Sequence, residues 1–296
     1  MSSSSSATRT RGRSVSRGRT VTAKLGILAG SGDLPARLVA ACRASGREHF
    51  VIALNGETEA EAVAEAPQAW LDLPKVGRIF KTLHDQHCRE VVLAGPIRRP
   101  ALRQLKPDRR GLAILPKLLA AGGDDGLLRI VIEEIESEGF RVVGVDDILA
   151  DLVAGQGPLG RCEPAPEQQP DLVRGIAVAQ ALGALDVGQA VVVQQGHVLG
   201  VEAAEGTDAL LQRCAALRRE GPGGVLVKLC KPGQEARADL PTIGPETVAA
   251  AAASGLAGIA IEAGAALVLD HDAVVEAADR KGVFVLGLGP EDLGDA

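Results

Sequence analysis

Apolar residues in this chain come in short unbroken runs separated by stretches of helical period, the alternation expected of parallel strands covered by helices. The first run, KLGILAG from Lys24, ends in the turn Gly30-Ser31-Gly32 and leads into a predicted helix from about Leu34 to Ala44. A second strand is expected at Phe50 to Leu54, a helix around Arg78 to His87, and another strand at Val91 to Ala94. Leu127, Leu128, Val131 and Ile135 then recur at helical spacing, with Asp124 and Asp125 as candidate caps, Gly139 as the stop and a strand at Arg141 to Val145 beyond. Residues 154–170, AGQGPLGRCEPAPEQQP, lose this order and are rich in Gly, Pro and Gln, as a linker is.

A helix running to about Leu182 opens the second half. Two apolar runs, Ala190 to Gln194 and Val198 to Ala203, flank Gln195-Gly196-His197 as the arms of a hairpin would. Another helix begins near Thr207, a buried strand is expected at Val225 to Val227, and a helix at Glu246 to Ala253. Strands at Gly258 to Glu262 and Leu267 to Leu269, a helix from Asp272 and a strand at Val283 to Leu286 complete the pattern. The expected fold is α/β throughout: an N-terminal Rossmann-like domain over 24–153 and a second, mixed α/β domain over 171–290.

Composition changes this picture only at its edges. With 296 residues and 46% hydrophobic content the chain can bury two cores. Residues 1–23 carry five arginines and no acid, so the remainder is more acidic than the formal charge of −6. That head, rich in Ser and Arg and without apolar period, reads as a disordered extension. An acidic body disfavours nucleic acid as a partner, and 2% aromatic content with no Tyr disfavours base stacking. Cys42, Cys88, Cys162, Cys214 and Cys230 show no CxxC pairing and fit reduced thiols in a cytoplasmic chain. No apolar run is long enough to span a bilayer, so lipid contact would be peripheral.

The richest chemistry lies in Gly224 to Gly244, GVLVKLCKPGQEARADLPTIG. A buried strand there would fix a loop holding Lys228, Lys231 and Arg237 with Glu235, Asp239 and Gln234. Cations suit phosphate oxygens and carboxylates suit a divalent metal, so the mixture fits a metal-assisted phosphate site. A solvated loop laced with weak surface ion pairs is the competing reading. The Gly30-Ser31-Gly32 turn could cradle a phosphate, or be a tight turn and nothing more. Pro35 and Asn55 stand where a dinucleotide fingerprint needs a glycine and an acid. Arg98, Arg99, Lys106 and Arg109 would gather cations at the carboxyl ends of strands, or be solvated charge. Thr207 and Asp208 could be a helix cap, and Glu202 and Glu205 are weaker metal candidates. Among the five histidines there is no HExxH, and GxSxG and GxxxxGK[ST] are absent as well.

Together the stretches LGILAGSGDLP, GPIRRP, LKPDRRGL, DDGLLRIVIEEIESEGF, GPLG, LDVGQAVVV, VEAAEGTDALLQR and KPGQEARADLPTIG resemble the LpxI family, the UDP-2,3-diacylglucosamine pyrophosphatases of lipid A biosynthesis in Gram-negative bacteria. The resemblance covers nearly everything after residue 23. It implies hydrolysis of a lipid-linked nucleotide sugar to 2,3-diacylglucosamine 1-phosphate and UMP, by water attacking the uridine-side phosphorus. A divalent metal, Mg2+, and a homodimer are implied too, with the substrate clamped between the two domains and peripheral contact with the inner membrane from the cytoplasmic side. Asp239, before LPTIG, stands at the family's essential aspartate.

From that resemblance Asp239 is expected to bind metal or orient water, with Glu235 and Glu205 as further metal candidates. Substrate contacts are expected from Gly30, Ser31, Gly32, Arg98, Thr207, Asp208, Lys228, Lys231, Gln234, Arg237 and Thr242. The Ala-rich stretch Val248 to Ala253 has side chains small enough for an acyl groove between the domains. Two rival classes are a nicotinamide-dependent oxidoreductase, which NADH binding would reveal, and a non-catalytic carrier that retains the lipid nucleotide without releasing UMP.

Overall fold

The structure is a computed structural model that describes residues 23–98, 106–121 and 123–294. Nearly all of the Ser/Arg-rich head, and Arg99 with the rest of GPIRRP beyond Arg98, lie outside these residues.

In the first half, β1 (Leu25–Ala29), α1 (Leu34–Ser45), β2 (His49–Leu54), a short α2 (Ala60–Val63), β3 (Gln68–Leu71), α3 (Val76–Asp85) and β4 (Glu90–Ala94) follow in turn. After α4 (Arg109–Ala120) and α5 (Asp124–Ser137), β5 (Arg141–Val142) completes a sheet of order β3-β2-β1-β4-β5, parallel at every pairing. Alternation along β1 sends Leu25, Ile27 and Ala29 to a core under α1 and Leu28 to one under α3 and α5. The order reverses between β1 and β4, so the loops after these two strands part at a topological switch point.

Several expectations shift here. Strand β3 escapes the sequence pattern because it is a short edge strand whose Trp70 stays 40% exposed. The cations around Asp108 are not in a loop alone. Asp108 caps α4 by accepting from the Gly111 amide at 2.9 Å, and the helix is hard to foresee because it buries only Gly111 and Ile114. Strand β5 stops short of Val145, since the Asp147 carboxylate takes the Gly144 amide and turns the chain. Gly123, not Asp124 or Asp125, stands at the N-cap of α5.

The stretch 154–170 is not a free linker. Its β6 (Gly157–Pro158) pairs antiparallel with the last strand, and its later part is a 3-10 turn running into α6 (Gln169–Ala184). The second sheet then takes the order β6-β13-β11-β9-β7-β8 from β7 (Ala190–Gln194), β8 (His197–Val201), β9 (Val225–Lys228), β11 (Gly258–Glu262) and β13 (Phe284–Leu288). Strands β9, β11 and β13 are parallel, and β7 and β8 form the expected hairpin against β9. Helices α7 (Thr207–Ala215), α8 (Pro245–Ala253) and α9 (His271–Lys281) cover one face and α6 the other, with a short α10 (Pro290–Leu293) at the end. Helix α8 turns Val248 and Ala251 into this core beside α7 and α9, while Ala249, Ala250 and Ala252 are half-buried and Ala253 exposed.

A two-stranded parallel ribbon, β10 (Thr242–Ile243) with β12 (Leu267–Val268), joins the halves. Leu267 is buried in the core of the first sheet and its neighbour Val268 in that of the second. Leu240 and Leu269 also pack on the first core. The charged loop between β9 and β10 is therefore tied at one end to the second sheet and at the other to the first.

Candidate active site

Strand β9 puts Val225 and Val227 on the α6 face and Leu226 on the opposite one, so Lys228 continues on the Leu226 side, beneath α7 and α8. Its side chain is almost fully buried, and Nζ donates to the Thr242 carbonyl at 3.0 Å. Burial pushes the Lys228 pKa down, opposed by the charges of Glu202, Asp239 and Asp208. Thr207 Oγ1 donates to buried Glu202 at 2.6 Å. Thr207 and Asp208 open α7 behind an N-cap at Gly206, so neither is the cap residue.

Asp239 sits across from this group. Gln234 Nε2 donates to its Oδ2 at 2.6 Å, and Gln234 Oε1 accepts from the Lys231 amide at 2.8 Å. Burial raises the Asp239 pKa, Lys231, Lys228 and Gln234 pull it back, and Asp124 at the start of α5 pushes it up again. Lys231 Nζ donates to Asp186 at 2.7 Å. Burial works against its charge, but that bond and the fields of Asp186, Asp239 and Asp124 leave its pKa raised. Cys230, one residue earlier, gives its amide to Glu262, and burial beside the carboxylates of Glu262, Asp239 and Asp125 pushes its thiol up to about 11.

Lys228, Lys231, Gln234, Asp239, Thr242, Thr207 and Asp208 thus share one region. The remaining candidates do not. Arg237 clasps Glu235 through Nε and Nη2 at 2.8 and 2.9 Å and reaches Glu136 of α5 at 2.7 Å, so these charges face each other and the first domain. Glu205 lies on the β8–α7 loop, bonded to Arg213. Gly30, Ser31, Gly32 and Arg98 stand at the switch point of the first sheet, where the loop after β2 supplies partners. The Gly32 amide donates to Glu59 at 3.1 Å and Arg98 bonds Glu57. Gly30 is small for a structural reason: a Cβ there would lie 2.5 Å from the Pro96 carbonyl.

Asp186, Asp124, Asp125, Arg129 and Glu136 were not singled out as site residues from sequence, because each meets the loop only through the tertiary fold. Beyond a candidate cap and a place in the stretch DDGLLRIVIEEIESEGF, Asp125 and Arg129 show in sequence only an i,i+4 pair on α5.

Among the described residues no group of three or more His, Cys, Asp or Glu could cage a metal ion. The donor set does fit an ion that takes one or two carboxylates and completes its shell with phosphate oxygens, as Mg2+ does. Asp239, Asp124, Asp208 and Glu202 act on a region whose cations are the buried Lys228 and the half-buried Lys231. A pyrophosphate entering that field needs a further positive charge.

A two-domain α/β chain with a half-buried carboxylate set among lysines, where its second domain meets its first, has the equipment of a hydrolase acting on phosphate esters or anhydrides. The chain belongs to the LpxI family: the LpxI N-terminal domain matches residues 24–152 and the LpxI C-terminal domain residues 155–286. The UDP-2,3-diacylglucosamine pyrophosphatase LpxI of Caulobacter vibrioides is 45% identical over 277 residues, covering 91% of this chain and 99% of that one. Among solved structures, the biotin carboxylase domain of Hydrogenobacter thermophilus 2-oxoglutarate carboxylase aligns at 13% identity with a TM-score of 0.27, covering 59% of this chain and 35% of that one. The biotin carboxylase subunit of pyruvate carboxylase aligns at 14% with 0.21, covering 58% and 35%. The chain thus spans about a third of those structures, and likenesses this loose carry no argument.

Proposed function

We propose that this chain hydrolyses the pyrophosphate of UDP-2,3-diacylglucosamine, giving 2,3-diacylglucosamine 1-phosphate and UMP in lipid A biosynthesis. The observation that carries the reading is the half-buried carboxylate of Asp239, fixed by Gln234 and held in the fields of Lys231 and Lys228. With Oδ2 bonded to Gln234, Asp239 offers Oδ1 to an attacking water, and its raised pKa makes it a better proton acceptor than an ordinary carboxylate. As the new P–O bond forms at the uridine-side phosphorus, Oδ1 takes the water's proton. The bridging oxygen departs with the sugar phosphate. Lys228 and Lys231 hold the charge that gathers on the phosphate oxygens.

Asp124, whose charge reaches Asp239, would hold the divalent ion together with the substrate's phosphate oxygens, and that ion would neutralise the pyrophosphate and polarise it toward attack. The parallel order of the first sheet supports a Rossmann-like domain. The docking of the charged loop on α5 supports a substrate held between the domains. A homodimer acting in the cytoplasm, in passing contact with the inner membrane, completes the proposal. It accords with the finding that no helix among the described residues is long and apolar enough to cross a bilayer.

Hydrolysis in water labelled with 18O, with Mg2+ or with EDTA, tests the chemistry. Label in UMP, and only with the metal, is the expected result. Label in the sugar phosphate would place the attack on the other phosphorus, and retention of the nucleotide without UMP would make the chain a carrier.

A further inference from the structure

Asp125 and Arg129, at the start of α5, have no part in the chemistry above, yet they touch the catalytic loop at two backbone points. Asp125 Oδ1 accepts from the Glu235 amide at 2.8 Å while its Oδ2 accepts from Arg129 Nε at 2.7 Å. Arg129 Nη2, one helical turn on, donates to the Gly233 carbonyl. Gly233 and Glu235 flank Gln234. Both peptide groups beside that residue are therefore pinned by one rigid pair on a helix of the other domain.

Gln234 is the residue whose amide bonds Asp239 Oδ2 on one side and the Lys231 amide on the other. A side chain with several rotatable bonds holds such a place only if its backbone is fixed. The Gly233 φ of +72° makes the point sharper, because that residue brings conformational freedom to the segment the pair restrains. We propose that Asp125 and Arg129 are positioning residues for hydrolysis: by pinning the backbone on either side of Gln234, the first domain sets the orientation of Asp239 in the second. Asp239 is competent only while the domains are docked, so separating them releases Gln234 and switches the site off. This rests on the reading of Asp239 as catalytic.

The test is steady-state UMP release by the full chain with Mg2+, comparing Asp125→Asn, Arg129→Lys and Gln234→Ala singly and Asp125→Asn with Gln234→Ala together. Displacing a reacting group by about 1 Å costs on the order of 10²-fold. Asp125→Asn is therefore expected to lower kcat by roughly 10- to 100-fold with KM within about 3-fold. In the Gln234→Ala background it should add less than about 2-fold, because both changes act through one residue. Should Asp125→Asn lower Tm sharply, Arg129→Lys carries the same comparison from the exposed end of the pair.

An unchanged kcat, a rise in KM alone, or losses that multiply in the double variant would each overturn the proposal. Asp239→Asn run alongside separates the two readings. Turnover surviving in that variant removes the catalytic role of Asp239, whereas turnover lost there but intact in Asp125→Asn removes only the positioning role.

Discussion

Two loops of this protein read alike as anion sites: the turn Gly30-Ser31-Gly32 with Arg98 after the first domain's strands, and the loop from Lys228 to Asp239 in the second. Folding treats them differently. In the first, Glu59 and Glu57 accept from the Gly32 amide and from Arg98, while Ser31 and Arg98 also donate to the Pro96 and Gly56 carbonyls, so the donors are met by neighbouring loops. In the second, Lys228 is buried and Asp239 half-buried, and the pKa of each is displaced against its own charge. Donors near an anion path are common. Charges forced into a low-dielectric space, with their ionisation altered by it, mark the place where binding energy turns into chemistry.

The sharpest way to break that comparison is Asp239→Asn. UMP release should fall at least about 10³-fold, the order of loss when a group stabilising the transition state is removed. Stability should move the other way. The folded pKa of Asp239 lies above its unfolded value, so from one to the other the native state binds more protons and stability falls as pH rises. The variant escapes that loss. Its Tm should exceed the native value at neutral pH, and the advantage should vanish below the unfolded carboxylate pKa. Scanning fluorimetry from pH 3 to 8 checks it, and a native protein that outlasts the variant at pH 7 would refute the assignment of strain to Asp239. Next in size is Lys228→Ala, which removes a buried cation facing Glu202, Asp239 and Asp208 and leaves the Thr242 carbonyl without its donor. Turnover at saturating substrate should drop roughly 10²-fold.

How far the sequence carried each loop follows from where its partners lie. Strands β1, β2, β4, β9 and β11 were legible because each is a continuous apolar run, and the 228–239 cluster because its charges are adjacent in the chain. Asp125, Arg129 and Glu136 lie about a hundred residues from the loop atoms they hold, and their own neighbourhood reads as an ordinary amphipathic helix. Nor does local pattern separate a buried lysine from an exposed one. Lys228 ends an apolar run and Arg98 follows one, but only Lys228 is closed over, by helices α7 and α8 on either side of it in the chain. The 154–170 stretch failed in the opposite sense: Gly and Pro weaken the periodic signal, while two residues suffice to pair with β13.

A smaller effect probes the field inside the second loop directly. Cys230 has a thiol pushed up to about 11, first by burial and then by Glu262, Asp239 and Asp125. Its thiolate fraction at pH 8 is then roughly two orders of magnitude below that of a free thiol, and iodoacetamide should modify it correspondingly slowly. Because Asp239 contributes to that field, Asp239→Asn should speed the modification by about 2- to 5-fold at fixed pH, measured by peptide mass spectrometry. A rate indifferent to Asp239 would mean that the two groups do not share one electrostatic region. Cys230→Ser should keep turnover within about 2-fold, since no step of the proposed chemistry uses the sulfur.

The smallest effect belongs to the glycine turn, and it sharpens the comparison most. Glu59→Gln removes one negative charge from the Gly32 amide and leaves an oxygen able to accept the same bond. If the turn merely closes on its neighbour, kcat and KM for UDP-2,3-diacylglucosamine should both stay within about 2-fold, as exposed charges usually allow. If the turn takes a phosphate of the substrate, Glu59 competes with that phosphate for the Gly32 amide. Its neutralisation must then lower KM, and the gain must shrink with added salt as the lost repulsion is screened. A KM that falls about 5-fold at low ionic strength and recovers at high would place the turn in the binding path and make the two loops alike after all. A KM that stays put leaves the contrast standing, with Glu59 as a permanent occupant of the turn and the anion chemistry confined to the lysines around Asp239.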